Sequence, residues 1–339
     1  MDLRALSMAS LGGRCRLLLG SCDSARACGP PTALWLFNVG LPGYGQSMTV
    51  SVCAICGDRT FDDIGSVHGT VIDRDYELRR CRSCSFVFVS NPSLDFDRIY
   101  SEEYYEGRGA DKKLNYIAEV QQPKRTVRRY EWRGVLARVD SVASITASTS
   151  WLDYGCGTGG LVQYLRSQSV DAYGFEQGWC AELLQNNGTP TVHEDDFSRL
   201  RGHFDVVSAI EVIEHTPDPV EVLQTIRPLL KTGGLLFMTT GNAEPFRDRI
   251  TSWRYVTPEV HISYFEPATL ARALRTAGFE PAFPGYGPGW EDIIRYKILM
   301  SLRRKWSSAF EAMVPWGMLG RLIDSRLKLS AQPVGRAIA

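Results

Sequence analysis

Residues 151–160, Trp-Leu-Asp-Tyr-Gly-Cys-Gly-Thr-Gly-Gly, put a carboxylate at the tip of a short apolar run and a glycine-rich turn directly after it. Leu161, Val162 and Leu165 continue with helical spacing, so the glycines occupy a strand-to-helix turn. Residues without a Cβ let backbone N–H groups approach a ligand closely at such a turn. Gly155, Gly157 and Gly160 also satisfy G-x-G-x-x-G, the pattern of dinucleotide-binding turns. Asp153 decides between the two readings, because a carboxylate at the strand tip repels a pyrophosphate and attracts an ammonium. The pattern therefore predicts S-adenosylmethionine, which carries an ammonium and a sulfonium but no phosphate, with Asp153, Gly155, Gly157 and Gly159 around it.

The segments that must position this turn follow in order. Val170–Glu176 reads as a second strand ending in an acid about twenty residues after the glycines, which makes Glu176 the residue for the ribose hydroxyls. A short third strand over Pro190–Val192 precedes Asp196 and Phe197, an acid for the adenine edge and a ring for its face. Phe204–Glu211 is a fourth strand, Val220–Leu230 its helix, and Gly233–Thr240 a turn and fifth strand. Strands alternating with helices predict a parallel sheet with ligands at the carboxyl ends of its strands.

These motifs, in this order, resemble class I S-adenosylmethionine-dependent methyltransferases over roughly residues 148–285. Asp153-x-Gly155-Cys156-Gly157-Thr158-Gly159 is similar to their first motif, Glu176 to their ribose acid and Asp196-Phe197 to their adenine pair. Glu211-Val212-Ile213-Glu214-His215-x-x-Asp218-Pro219 is similar to the fourth motif of the ubiquinone-type O-methyltransferases. The resemblance implies an α/β, Rossmann-like, doubly wound and mostly parallel sheet, with Glu211 also near the cofactor and Glu214, His215 and His261 as catalytic residues. Glu211-x-x-Glu214-His215 further resembles the motif with which small-RNA terminal 2′-O-methyltransferases hold a divalent metal, with a later histidine completing the set. That implies a Mg²⁺ or Mn²⁺ site at Glu211, Glu214, His215 and His261; a metal-free general base at His215 is the other reading.

Cys53-x-x-Cys56 and Cys81-x-x-Cys84, with 24 residues between the pairs, have the spacing of a Cys₄ zinc ribbon. Two disulfides are the alternative, and they suit an exported protein better than a cofactor-dependent enzyme. With Asn91-Pro92 and Tyr100-x-x-x-Tyr104-Tyr105 after it, the ribbon resembles that of bacterial zinc-ribbon methyltransferases, some of them deoxysugar C-methyltransferases. In the sugar enzymes a histidine in Tyr-His-Glu-His-x-x-Tyr-Phe is the base. Here Pro258-Glu259-Val260-His261-Ile262-Ser263-Tyr264-Phe265 keeps the second histidine but has Pro258 for the tyrosine, Glu259 for the first histidine and Val260 for the glutamate, a departure that speaks against C-methylation of a keto-sugar.

A chain of 339 residues, 44% hydrophobic, predicts one large core and a smaller module. Basic and acidic residues balance at 38 each, so the electrostatic footprint of a nucleic-acid binder is missing. The expected division is 1–47 as a disordered or non-native leader, 48–110 as the ribbon, 111–147 as connecting helix and linker, 148–285 as the cofactor domain and 286–339 as a helical extension. The connecting helix is placed at Arg125–Val139, and no seventh, antiparallel strand is evident. Gly241–Glu266, with Trp253, Tyr255, His261 and Tyr264, is long enough to be a lid. Glu291–Trp306 and Ser308–Lys328 are expected to be amphipathic helices, with Ile294, Ile298, Leu302 and Trp306 on one stripe. They can pack on the core, dimerise or touch a membrane surface; no apolar run is long enough to span one. The resulting expectation is a cytoplasmic enzyme methylating a small-molecule, sugar or glycolipid-type acceptor at oxygen. Its rivals are C-methylation of a nucleotide-linked sugar and a non-catalytic zinc-ribbon adapter that binds S-adenosylmethionine.

Overall fold

A computed structural model describes residues 49–110, 115–327 and 334–337; the expected leader over 1–47 lies outside them. The strands are β1 (Phe61–His68), β2 (Asp75–Cys81), β3 (Val87–Val89), β4 (Ser150–Tyr154), β5 (Asp171–Phe175), β6 (Phe204–Ile210), β7 (Leu230–Thr239), β8 (Ser263–Tyr264), β9 (Phe279–Ala282) and β10 (Val334–Ala337). The helices are α1 (Phe96–Ile99), α2 (Glu102–Tyr105), α3 (Tyr116–Gln121), α4 (Arg128–Ala143), α5 (Gly160–Ser167), α6 (Trp179–Asn186), α7 (Pro219–Ile226), α8 (Pro267–Thr276), α9 (Trp290–Ser301) and α10 (Trp316–Leu327).

The larger sheet runs β5-β4-β6-β7-β10-β9. β5, β4, β6 and β7 are parallel, and β10 is antiparallel to both of its neighbours. Apolar residues on both faces let the central strands be covered on both sides. Alternation divides them: Val206, Leu235 and Phe237 face a core with α4, α5 and α9, while Val207, Leu236 and Met238 face one with α7 and α8. That is the doubly wound fold expected from the sequence.

Three local expectations are corrected. The third strand at 190–192 is reduced to one bridge, Thr191 to Gly174; Pro190 has no N–H to donate, and the chain turns into a 3-10 turn at Glu194–Asp196. The seventh strand exists as β10, after both C-terminal helices rather than before them, so the segment beyond 286 is not wholly helical. α9 stops at Ser301, so of the proposed stripe Ile294 is buried but Leu302 is 65% exposed. The connecting helix is α4, displaced by a few residues from the expected span.

The smaller sheet, β1-β2-β3-β8, is antiparallel throughout. Its fourth strand does not come from the cysteine module. It comes from the Gly241–Glu266 segment, which otherwise carries 3-10 turns over Glu244–Ser252. No helix among the described residues is long and apolar enough to cross a membrane.

Candidate active site

β4 delivers Asp153 and the glycine turn between β5 and β6, at the carboxyl edge of the sheet. The amides of Gly155 and Cys156 donate to the Phe175 carbonyl at 2.9 and 3.1 Å, which pins the turn to the end of β5. Gly155, Gly157 and Gly159 all have positive φ (73°, 54° and 79°), a backbone that side chains disfavour. Their surroundings differ. A Cβ on Gly155 or Gly159 would lie 2.6 Å from Val212 or 2.7 Å from Leu184, whereas one on Gly157 would meet nothing within 4 Å. Gly155 and Gly159 therefore serve packing, and Gly157 borders open space that a cofactor can enter.

Asp153 is 4% exposed and accepts from the Ser208 hydroxyl at 2.6 Å; Ser208 in turn accepts from the Trp151 indole at 2.8 Å. Burial pushes the Asp153 carboxyl up to about 7 despite that hydrogen bond. Glu176 folds over the turn and accepts from the amides of Gly157 (2.6 Å) and Gln177 (3.0 Å). Its burial raises its pKa against the lowering effect of these two donors. Asp196 accepts from the His193 amide at 3.2 Å and pairs with Arg199. The Phe197 ring packs on Phe175, 4.8 Å between centroids, at the end of β5.

The fourth-motif residues leave β6 through a strained corner, Glu211 having φ 53° without being glycine. Val212 lies against Gly155, so this corner adjoins the cofactor turn. One hydroxyl organises the two acids: Tyr255 Oη is 2.8 Å from Glu211 Oε2 and 2.5 Å from Glu214 Oε1, and it accepts from the Gly241 amide at 3.0 Å. A phenol has a single proton to donate. Burial, then the Glu211 charge, holds Glu214 well above the carboxylate range, so Glu214 is the protonated partner. Glu211 is opposed by burial as well, but the Lys297 ammonium (3.3 Å) and the Tyr255 and Thr239 hydroxyls hold it down at about 2. Glu214 Oε2 is buried with no hydrogen-bond partner among the described residues.

Two histidines face this corner. His215 Nδ1 is 2.8 Å from the Tyr100 hydroxyl, and burial, then His261, depresses its pKa to about 3, so it is neutral. His261 stacks on Tyr255 (4.2 Å) and stands edge-on to His215 (4.9 Å). Its Nδ1 lies 2.7 Å from the Tyr255 carbonyl, which only an Nδ1–H can bond, so when the ring is neutral its lone pair is on Nε2. Glu214, His215 and His261 offer ligand atoms within 4.8 Å of one another. Glu211 stands outside this trio, one hydroxyl away.

Tyr100, Tyr255 and Lys297 are the residues that the sequence reading left without a role. Tyr255 was one aromatic among several in a long loop. Lys297 had a usable signal, a lone charge between Ile294 and Ile298 on a helix face otherwise directed at the core.

In the cysteine module the Sγ atoms of Cys53 and Cys84 are 3.6 Å apart and those of Cys56 and Cys81 3.5 Å, with all four within 4.8 Å. These separations exceed a disulfide bond of about 2.05 Å and approach the roughly 3.8 Å edge of a zinc–thiolate tetrahedron. Each pair sits on a tight knuckle closed by Gly57 N–H to Cys53 O (2.8 Å) and Ser85 N–H to Cys81 O (2.9 Å). Cys156 and Cys180 pack in the core, Cys180 fully buried and Cys156 against Gly174.

A sequence profile of the methyltransferase-domain family matches residues 109–282, just over half of the chain. The ubiquinone biosynthesis O-methyltransferase of Acinetobacter baumannii (strain AYE) is 28% identical over 160 residues, covering 41% of this chain and 67% of that protein. Its counterpart in Thiobacillus denitrificans is 30% identical over 160 residues, covering 42% and 68%. Among solved structures, a methyltransferase from Thermotoga maritima is similar with a TM-score of 0.38 at 20% identity, covering 53% of this chain and 82% of that one. The span matched by the profile contains both the glycine turn and the fourth-motif corner. The chain therefore belongs to the methyltransferase-domain family, and it is an S-adenosylmethionine-dependent methyltransferase.

Proposed function

We propose that the protein methylates a hydroxyl of a small-molecule or sugar-type acceptor, with the His215–His261 pair supplying the base. The observation that carries this reading is the orientation of His261: its Nδ1–H is committed to the Tyr255 carbonyl, so Nε2 is the atom left to act as base, on a ring that stands edge-on to His215 at the fourth-motif corner. S-adenosylmethionine supplies an electrophilic methyl group and a neutral leaving group when bound. Asp153 and Glu176 are the acids for its ammonium and ribose, Gly157 leaves room for its chain, and Asp196 and Phe197 flank the adenine. The fold contributes orientation, and the imidazole takes the acceptor proton. The similarity to ubiquinone biosynthesis O-methyltransferases supports oxygen over carbon as the acceptor atom. Residues 48–110 would be a zinc ribbon, 148–285 the cofactor domain and the segments after 286 its cover.

The test has two arms. Isothermal calorimetry with S-adenosylmethionine should show binding that is lost in Gly157→Val, and unchanged affinity in that variant would remove the cofactor assignment. Incubation with radiolabelled cofactor and fractionated cell extract, followed by mass spectrometry, should place the label on an oxygen. Label on carbon would overturn the acceptor class.

A second reading has a divalent Mg²⁺ or Mn²⁺ at Glu214, His215 and His261. The unpartnered Glu214 Oε2 and the closeness of the three ligand atoms favour it. The residues fit such an ion only if Glu214 gives up its proton, and the metal would supply acidity to the acceptor hydroxyl. Full label transfer in EDTA would eliminate this version, and an active His261→Ala would remove the histidine from both.

A further inference from the structure

We infer that Glu259 is a positioning residue that fastens the cysteine module to the acceptor side of the active site and so sets the orientation of His261. The inference rests on His261 being part of the reactive site as proposed above. Glu259 is 3% exposed, yet it forms no ion pair among the described residues. Instead its carboxylate is received by the loop between β1 and β2. Oε1 accepts from the amides of Val71 (2.7 Å) and Ile72 (2.6 Å), and Oε2 from the amide and hydroxyl of Thr70 (2.8 and 2.9 Å). Burial raises its pKa, but these donors outweigh it and keep the group ionised. Four N–H and O–H donors converging on one buried carboxylate form an anchor, not a surface contact.

The anchor stands two residues before His261, and the chain that follows is tied in both directions. Val89 N–H of β3 donates to the Ile262 carbonyl at 2.9 Å, and the Ile262 amide donates to the Glu214 carbonyl at 2.8 Å. Ser263 Oγ donates to the Thr216 carbonyl at 2.8 Å, and β8 then completes the module's sheet. This backbone strip thus links the cysteine module's sheet to the fourth-motif corner, with His261 at its start, beside the Tyr100–His215 bond between the same two regions. That strip is a short edge strand held by few ladder bonds, and on its N-terminal side the Glu259 anchor acts together with the Val260 and His261 amides, which donate to the Thr257 carbonyl at 2.9 and 2.8 Å.

Glu259→Gln keeps the shape but turns an amide NH₂ toward backbone N–H donors, so at least one donor loses its acceptor. The full-length protein labelled with ¹⁵N-histidine reports the consequence without any acceptor. The His261 signals, assigned by their loss in His261→Ala, should show a fixed Nδ1–H tautomer in the parent and an averaged one in Glu259→Gln. His193 and His203, remote from the strip, should not change. Amide exchange over 260–264 should accelerate about tenfold or more while β4 to β7 keep their protection. Glu259→Asp, which retains the charge, should restore part of both signatures, and Thr70→Val, which removes one donor, should give a smaller version of the same pattern. A His261 spectrum and strip exchange that are unchanged in folded Glu259→Gln would overturn the inference. So would loss of all histidine signatures together in Thr70→Val, since that marks general destabilisation. An active His261→Ala would defeat the proposed chemistry while leaving the anchor standing, so the two failures are distinguishable.

Discussion

Replacing Asp153 by Asn separates what this carboxylate costs the fold from what it gives the cofactor site. The side chain is buried, and its pKa rises from 3.8 to about 7. Below about pH 4 the acid is neutral in both the folded and the unfolded chain. Between about pH 4 and pH 7 the unfolded chain loses the proton while the folded chain keeps it, so stability falls as pH rises through this window and levels off above it. One pKa unit corresponds to about 1.36 kcal/mol, so a shift of about three units sets an upper limit near 4 kcal/mol. Asparagine does not titrate, and its amide oxygen still accepts from Ser208. Urea unfolding at pH 4 and pH 8 should therefore show the Asp153→Asn protein gaining about 2–4 kcal/mol on the parent as pH rises. Calorimetry should show the reverse for S-adenosylmethionine, an affinity at least about tenfold weaker, because a neutral amide no longer attracts the ammonium. Parallel stability curves for the two proteins would refute the buried-acid argument. Undiminished cofactor affinity would refute the role of the charge.

Two further outcomes follow from the same geometry. Protein purified without chelator should carry about one zinc per chain, and Cys81→Ser should lose it together with the ordered knuckles; elemental analysis finding no zinc in the parent would count against the ribbon. Tyr255→Phe deprives Glu211, Glu214 and the Gly241 amide of a shared partner; Glu211 keeps Lys297 and Thr239, so at about 1–3 kcal/mol for each of the two groups left unpaired it should destabilise by roughly 2–6 kcal/mol. A melting temperature unchanged by that substitution would show that the hydroxyl is not the hub of the corner.

The proposed cofactor half of the site is legible because its signal is local. Asp153, the glycines and Glu176 each sit at the end of an element whose period can be read from neighbouring residues, and the structure brings them to one edge of the sheet. The proposed acceptor half is legible in residue type but not in wiring. Glu211, Glu214, His215 and His261 were recognisable, yet nothing local announces that Tyr255, 44 residues from Glu211, joins the two acids, or that Lys297 comes from a distant helix to hold one of them ionised. β8 is two residues long and leaves no periodic trace; only its pairing with β3 makes it a strand. β10, Val-Gly-Arg-Ala, is equally mute, because a short strand placed between two others takes its conformation from their ladders and not from its own propensity.

The position of β10 also bears on how the chain assembles during synthesis. Val334 pairs with Phe237 on one side and Ala282 on the other, so the slot between β7 and β9 is filled only after α9 and α10 have been made. Until then β7 and β9 each present an unpaired edge, and β7 is long and largely apolar. Such edges recruit other strands, including those of neighbouring nascent chains. The ribosome-bound intermediate is therefore the stage at which this protein is most exposed to misassociation, and a fragment ending before residue 334 would remain in that state permanently.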